Sequence, residues 1–139
     1  MSQTTSENGL SSYAPTILSI VRIIVGLIFI EHGTQKLLGF PTTDHMPPAF
    51  TLMWFGGIIE AVGGFFIALG LFTKPAAFIA SGEMAFAYFM FHSPRSFFPA
   101  LNQGDAAILY CFFFLYLVFR GPGPLSLDAL LTAKKADRH

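Results

Sequence analysis

A single cysteine, Cys111, stands in the chain of 139 residues, and it lies inside an apolar run. It can close no internal disulfide and belongs to no Cys-x-x-Cys pair, so intrachain dithiol chemistry is excluded. Charge is scarce as well: 12% of the residues are Asp, Glu, Lys or Arg, where a soluble domain carries roughly 25%. Eight basic side chains balance eight acidic ones, which leaves no broad basic surface for nucleic acid and no acidic tail for a cationic partner. What fills the chain is apolar, 53% of it, in runs too long and too charge-poor for one small water-soluble core to bury. Lipid is the solvent that this composition fits.

A hydrocarbon core about 30 Å thick needs roughly 20 apolar residues in a helix, and four runs bounded by breakers approach that length. The first is expected over Pro15 to Leu38, with proline at the helix start and Gly39-Phe40-Pro41 at its close. The second is expected over Ala49 to Phe72, the third over Pro75 to Phe91, and the fourth over Gly104 to Arg120, where Gly121-Pro122-Gly123-Pro124 ends it. The Lys74-Pro75 turn is so tight that the second and third must be antiparallel neighbours. This predicts an all-α fold, an integral membrane bundle of four transmembrane helices. Residues 1–14 form a disordered or surface tail, 15–124 the bundle and 125–139 a cytoplasmic tail.

The first fourteen residues carry no Lys or Arg, the wrong leader for a secretory signal, so the first helix is expected to be retained. With four spans, Lys74, Arg120, Lys134, Lys135 and Arg138 share one side against Lys36 and Arg95 on the other, which places both termini in the cytoplasm. The segment from Leu125 to Leu131 reads either as a short interfacial helix with a Ser-x-Asp start or as an unstructured end carrying a few leucines.

Ionisable side chains at bilayer depth cost about 2.5 to 3.5 kcal/mol each even on the lenient insertion scale, so each needs a partner, a wet cavity or a route to the interface. Lys36, His92 and Asp105 lie near the outer ends of their spans, Glu31, Glu60 and Glu83 lie about 10 to 17 Å deeper, and Arg22 lies in the inner half. Gly26, Gly33 and Lys36 fall within about 40° of Arg22 on a helix, with His32 at the flank and Glu31 nearly opposite. Glu31 must then meet another helix, reach outward or face another subunit. Gly56, Glu60, Gly63 and Gly64 make a small-residue stripe around a carboxylate, as do Ala80 and Ala87 around Glu83, so close helix approach beside both acids is expected. The group reads in two ways. It is either a closed set of ion pairs, with Arg22 and Glu31 as structural members, or a ligand or proton site in which a carboxyl or imidazole gives and takes protons.

Phe40, Phe50, Trp54, Phe91, Phe97 and Phe98, with Tyr88 deeper, read either as the roof of a flat ligand or as interfacial anchors. The Phe112-Phe113-Phe114 run reads as lipid-facing bulk. Neither haem nor a metal ion is expected, since no Glu-x-x-His pair or second cysteine supports His32 and His92 as ligands. Asn102-Gln103-Gly104-Asp105 has the look of a helix start, where capping alone accounts for the polar residues.

The order Arg22, Gly26, Glu31-His32-Gly33-x-x-Lys36-Leu37-x-Gly39-Phe40, then Gly57-x-x-Glu60-x-x-Gly63-Gly64, Glu83-Met84, Asn102-x-Gly104-Asp105 and Gly121-Pro122-Gly123-Pro124-Leu125-Ser126-Leu127-Asp128 resembles the DoxX family of small bacterial membrane proteins. The resemblance covers almost the whole chain. It implies four transmembrane helices in the bacterial cytoplasmic (inner) membrane and an association with sulfur or redox metabolism. Related DoxD-type proteins form the membrane subunit of thiosulfate:quinone oxidoreductase, and some DoxX proteins partner oxidative-stress enzymes. It nominates His32, Lys36, Glu60, Glu83, Asn102 and Asp105. The lone Cys111 departs from any thiol-relay role in the family.

Three functional expectations follow. The leading one is an accessory or quinone-interacting subunit with a polar pocket in the outer half of the bundle, built from His32, Lys36, Glu60, Glu83, His92, Asn102 and Asp105. No independent catalytic motif is present, and a quinone is the cofactor that the resemblance implies. The second is a non-catalytic scaffold for a redox or oxidative-stress enzyme, or a homo-oligomer joined through its glycine faces. The third, a small proton-coupled transporter, needs inverted repeats or broken helices, and the sequence displays neither.

Overall fold

The structure, a computed structural model, describes residues 9–138. Among the described residues every regular element is helical and no strand occurs. The expected N-terminal tail lies outside the described residues as far as residue 8, and Leu10–Tyr13 form a 3-10 turn that leads into the first helix.

Helix α1 runs over Ala14–Leu38 and is 25 residues long, about 37 Å at 1.5 Å per residue. Pro15 sits in its first turn, where a missing N–H costs nothing, and Gly39 ends it in the left-handed region at φ 66°. Helix α2, Leu52–Leu69, begins later than its apolar run because Thr51 takes the N-cap position and its side chain accepts from the Trp54 N–H. It closes at Gly70, φ 64°.

Helix α3, Thr73–Ala87, starts two residues before the expected Pro75, and its cap comes from far along the chain. The Asp128 carboxylate accepts from Phe72 N and Thr73 N, each at 2.9 Å, meeting two of the donors that a helix start leaves open. At its other end α3 widens into a π turn, Tyr88–His92, and then a 3-10 turn, Ser93–Arg95. A short helix α4, Pro99–Asn102, precedes α5, Asp105–Arg120. The segment after the Gly-Pro-Gly-Pro stop is a helix, α6, Leu127–Ala136, with Ser126 as its cap.

The helices pack as two pairs, α1 with α2 and α3 with α5, joined by α2 against α3. Gly33 lets α1 approach α2 to backbone contact: a methyl there would lie 2.7 Å from Gly57 O and 2.8 Å from Ala61 Cα. Gly64 does the same toward Gly26 O, at 2.9 Å. Much of the glycine face that was open to a second copy is therefore consumed inside the chain. Phe29 of α1 bridges to α5 through Tyr110 and Phe114, with ring centroids 5.3 and 4.8 Å away. Phe114 is fully buried, which corrects its reading as lipid-facing bulk, while Phe112 does point outward.

Large apolar side chains cover the outside, among them Ile24, Leu27, Phe65, Phe78, Leu109 and Phe119, a surface suited to lipid rather than water. Two helical stretches, Leu10–Leu38 and Leu52–Leu69, are long and apolar enough to cross a membrane. At 15 and 16 residues, α3 and α5 are shorter.

Candidate functional site

Between the two helix pairs, at the end of the bundle that carries Lys36 and Arg95, lies a cavity of ≈ 420 Å³. Each of the four long helices brings polar groups to it. Helix α1 contributes His32 and Lys36, one turn apart; α2 contributes Glu60; α3 contributes Glu83; the π turn contributes His92; and α5 contributes Tyr110.

Lys36 Nζ donates to Glu60 Oε1 at 2.6 Å, the one ion pair among the described residues. The Glu60 side chain is 3% exposed and that of Lys36 is 26% exposed, so the carboxylate is sealed while the ammonium keeps a path to the rim. The second Glu60 oxygen, Oε2, is buried with no hydrogen-bond partner, and so is Glu83 Oε2. Buried oxygens of this kind are costly unless something supplies a donor. Glu83 lies over Gly56, where a methyl would stand 3.1 Å from its Oε1. Gly56 and Glu60 are four residues apart, so they share one face of α2 and bring Glu83 alongside the ion pair.

His92 is oriented from behind. Its Nδ1 faces the Asn102 carbonyl at 3.0 Å, and because a carbonyl oxygen only accepts, Nδ1 is the donor in this contact. Asn102 does not line the cavity. It is fully buried behind it, its Nδ2 donating to Ser96 O at 2.9 Å and to Tyr88 Oη at 3.3 Å, and its Oδ1 accepting from Gly104 N at 2.8 Å. Its place is in the loop that holds His92, not among groups that could touch a ligand. Asp105 also stands outside the cavity, exposed in the first turn of α5, where a carboxylate favours the helix dipole.

The two residues assigned to ion pairs need correction. Arg22 is fully buried, yet it meets carbonyls rather than a carboxylate. Its guanidinium donates to Pro122 O, to Leu125 O at 2.7 Å and to Ala68 O at 3.5 Å. Ser19 Oγ accepts from Leu125 N at 3.1 Å and Asp128 N donates to Gly70 O at 2.8 Å, so residues 121–128 are clamped to the far end of the bundle. Glu31 is exposed on the outer surface of α1 and pairs with no cation among the described residues. The physical reason is angular: the face of α1 that holds Arg22 and Lys36 turns inward, so Glu31 turns outward.

Tyr110, Gln103 and Arg95 line the cavity and were missed from sequence. Tyr110 follows Ala106 and Ala107 by four and three residues, a small-small-polar pattern on one helix face that could have marked it. Of the outer aromatics, Phe91 lines the cavity, whereas Phe40, Phe50, Phe97 and Phe98 are exposed. Among the described residues no three His, Cys, Asp or Glu side chains gather closely enough to hold a metal ion.

The DoxX family profile matches residues 17–93, from α1 through the π turn that carries His92. An uncharacterized protein of Haemophilus influenzae is 45% identical over 127 residues, which are 87% of this chain and 95% of the relative. The inner membrane protein YphA of Escherichia coli is 30% identical, covering 82% of this chain and 89% of its own. The inner membrane protein YqjF of the same organism is 29% identical, over 83% and 92%. No solved structure matches. With lipid-suited surfaces, a family profile over more than half the chain and relatives named for the membrane, this chain is an integral membrane protein that belongs to the DoxX family.

Proposed function

We propose that the chain is a four-span protein of the inner membrane, with both termini in the cytoplasm, whose outer-half cavity holds the ring of a quinone-type ligand for a partner redox enzyme. The π and 3-10 turns extend α3 to Arg95, and α4 precedes α5, so both shorter helices gain reach toward the outer interface. Lys74, Arg120, Lys134, Lys135 and Arg138 then lie on the cytoplasmic side, where α6 rests on the membrane surface with Leu130 and Leu131 exposed toward it.

The observation that carries the ligand reading is the cavity itself. A closed structural network would leave neither ≈ 420 Å³ of open space nor two buried carboxylate oxygens without partners. Aromatic side chains offer faces for a flat ring, while Lys36, Tyr110 and His92 Nε2 offer polar groups for its oxygens. The test is equilibrium binding of a water-soluble short-chain quinone to purified full-length protein, with Glu60→Gln and His32→Ala alongside. Saturable binding that both variants weaken is the expected result. Absence of binding to the parent protein would overturn the reading.

A further inference from the structure

Two acids face the cavity, and they are not equally matched. Glu60 has Lys36 at 2.6 Å, whereas no Lys, Arg or His nitrogen among the described residues comes within 4.0 Å of Glu83. The other charged or titratable groups on the walls are His32 on α1, His92 on the π turn, Tyr110 on α5 and Arg95. Arg95 is exposed, so water and salt screen it from the interior. Lys36 is engaged with Glu60. A carboxylate facing a low-dielectric cavity without a counter-charge is expensive, and it is relieved either by its own proton or by a bound cation, of which an ammonium ligand supplies both the charge and the donor.

The rest of the lining says what kind of cation. Phe29, Phe55, Phe86, Phe91 and Tyr110 supply ring carbons, with Met53 and Ile59 adding further apolar surface. Aromatic faces attract an ammonium group, most strongly where water is excluded. A bare metal ion would find too few oxygen ligands among these walls. From the unmatched Glu83 and the aromatic lining of the cavity, we infer that this site binds a small amphiphilic monocation, its ammonium group against Glu83 and its apolar body among the rings. This goes beyond the quinone reading, which places a neutral ring in the same space, and each can fail without the other.

The test uses purified full-length protein in phosphatidylcholine nanodiscs, whose zwitterionic lipid does not itself concentrate cations, with empty discs subtracted. Three probes of similar size carry head groups of different charge: phenethylammonium, phenethyl alcohol and phenylacetate. Isothermal titration is expected to show the ammonium binding about tenfold or more tighter than the alcohol, with phenylacetate not binding. This comparison is made on the parent protein and depends on no variant folding. Glu83→Gln should reduce the ammonium to the level of the alcohol and leave the alcohol unchanged. Gly56→Ala keeps the charge but sets a methyl 3.1 Å from Glu83 Oε1, and should weaken the ammonium alone. Glu31→Gln, an exposed acid outside the cavity, should alter nothing. Equal affinity for ammonium and alcohol in the parent would overturn the inference, since that is how a Glu83 holding its own proton behaves. Retained selectivity in Glu83→Gln would overturn it as well. A short-chain quinone titrated into the same preparation separates the two readings: quinone binding without ammonium preference removes this inference alone, ammonium binding without quinone binding removes the quinone reading alone, and no binding of any probe removes both.

Discussion

Removing the charge of Lys36 should destabilise the protein more than removing that of Glu60, although the two form one ion pair. The asymmetry follows from their burial, 26% against 3% side-chain exposure. In Lys36→Met the Glu60 carboxylate stays sealed in the bundle with its Oε1 newly orphaned beside an Oε2 that already has no partner. Breaking a buried pair from one side costs about 3 to 5 kcal/mol, and about 3 is expected here because the Lys36 side of the pair is 26% exposed. In Glu60→Gln the amide oxygen still accepts from Lys36 Nζ and the ammonium can turn to the rim, so the loss should be about 1 kcal/mol. The double variant carries no stranded charge and should recover about 1 to 2 kcal/mol relative to Lys36→Met, a coupling that a double-mutant cycle isolates. Equilibrium unfolding by SDS in mixed micelles measures this, with the single tryptophan, Trp54, as fluorescent reporter. If Lys36→Met proves no worse than Glu60→Gln, or the double variant loses the sum of both, Glu60 is not a sealed carboxylate held by Lys36.

The same unfolding assay separates two glycines of the bundle. Gly33→Ala forces a methyl to within 2.8 Å of backbone atoms of α2 and should cost about 3 kcal/mol. Gly63→Ala meets nothing within 4 Å and should be neutral or stabilise by up to about 1 kcal/mol through helix propensity; equal effects would refute the α1–α2 contact. Asp128→Ala removes the cap on α3 at a cost of about 1 to 2 kcal/mol, and hydrogen exchange should speed up at the Phe72 and Thr73 amides while the Trp54 amide is unchanged. Asn102→Ala orphans Ser96 O and Gly104 N, with a loss of about 1 to 3 kcal/mol and faster limited proteolysis between α3 and α5; a proteolysis rate matching the parent would refute its role in holding that loop.

Local chemistry made much of this protein readable along the chain. Pro15, Gly39 and the Gly121-Pro122-Gly123-Pro124 stop act over a few residues, so those helix ends lie close to their expected places, while α2 begins late because Thr51 caps it and stops at Leu69, short of Phe72, because Gly70 turns left-handed. Angular periodicity put Arg22, Gly26, Gly33 and Lys36 on the inward face and turned Glu31 outward. It could not say what the inward residues would touch. Arg22, an ion-pair candidate whose partner periodicity leaves open, meets carbonyls of a segment 100 to 103 residues away. Asp128 caps a helix that starts 55 residues earlier, and nothing local signals it. Asn102 and Asp105 stand near the cavity in sequence order, yet the loop buries one behind it and leaves the other in the open. Helix existence and the hydrophobic exterior depend on short-range sterics and on transfer of side chains from water, terms that act residue by residue. The meeting of Lys36 with Glu60, and the solitude of Glu83, depend on how far one helix is rotated and slid against another. Backbone contacts such as Gly33 on Ala61 set that geometry, and only the assembled bundle contains them.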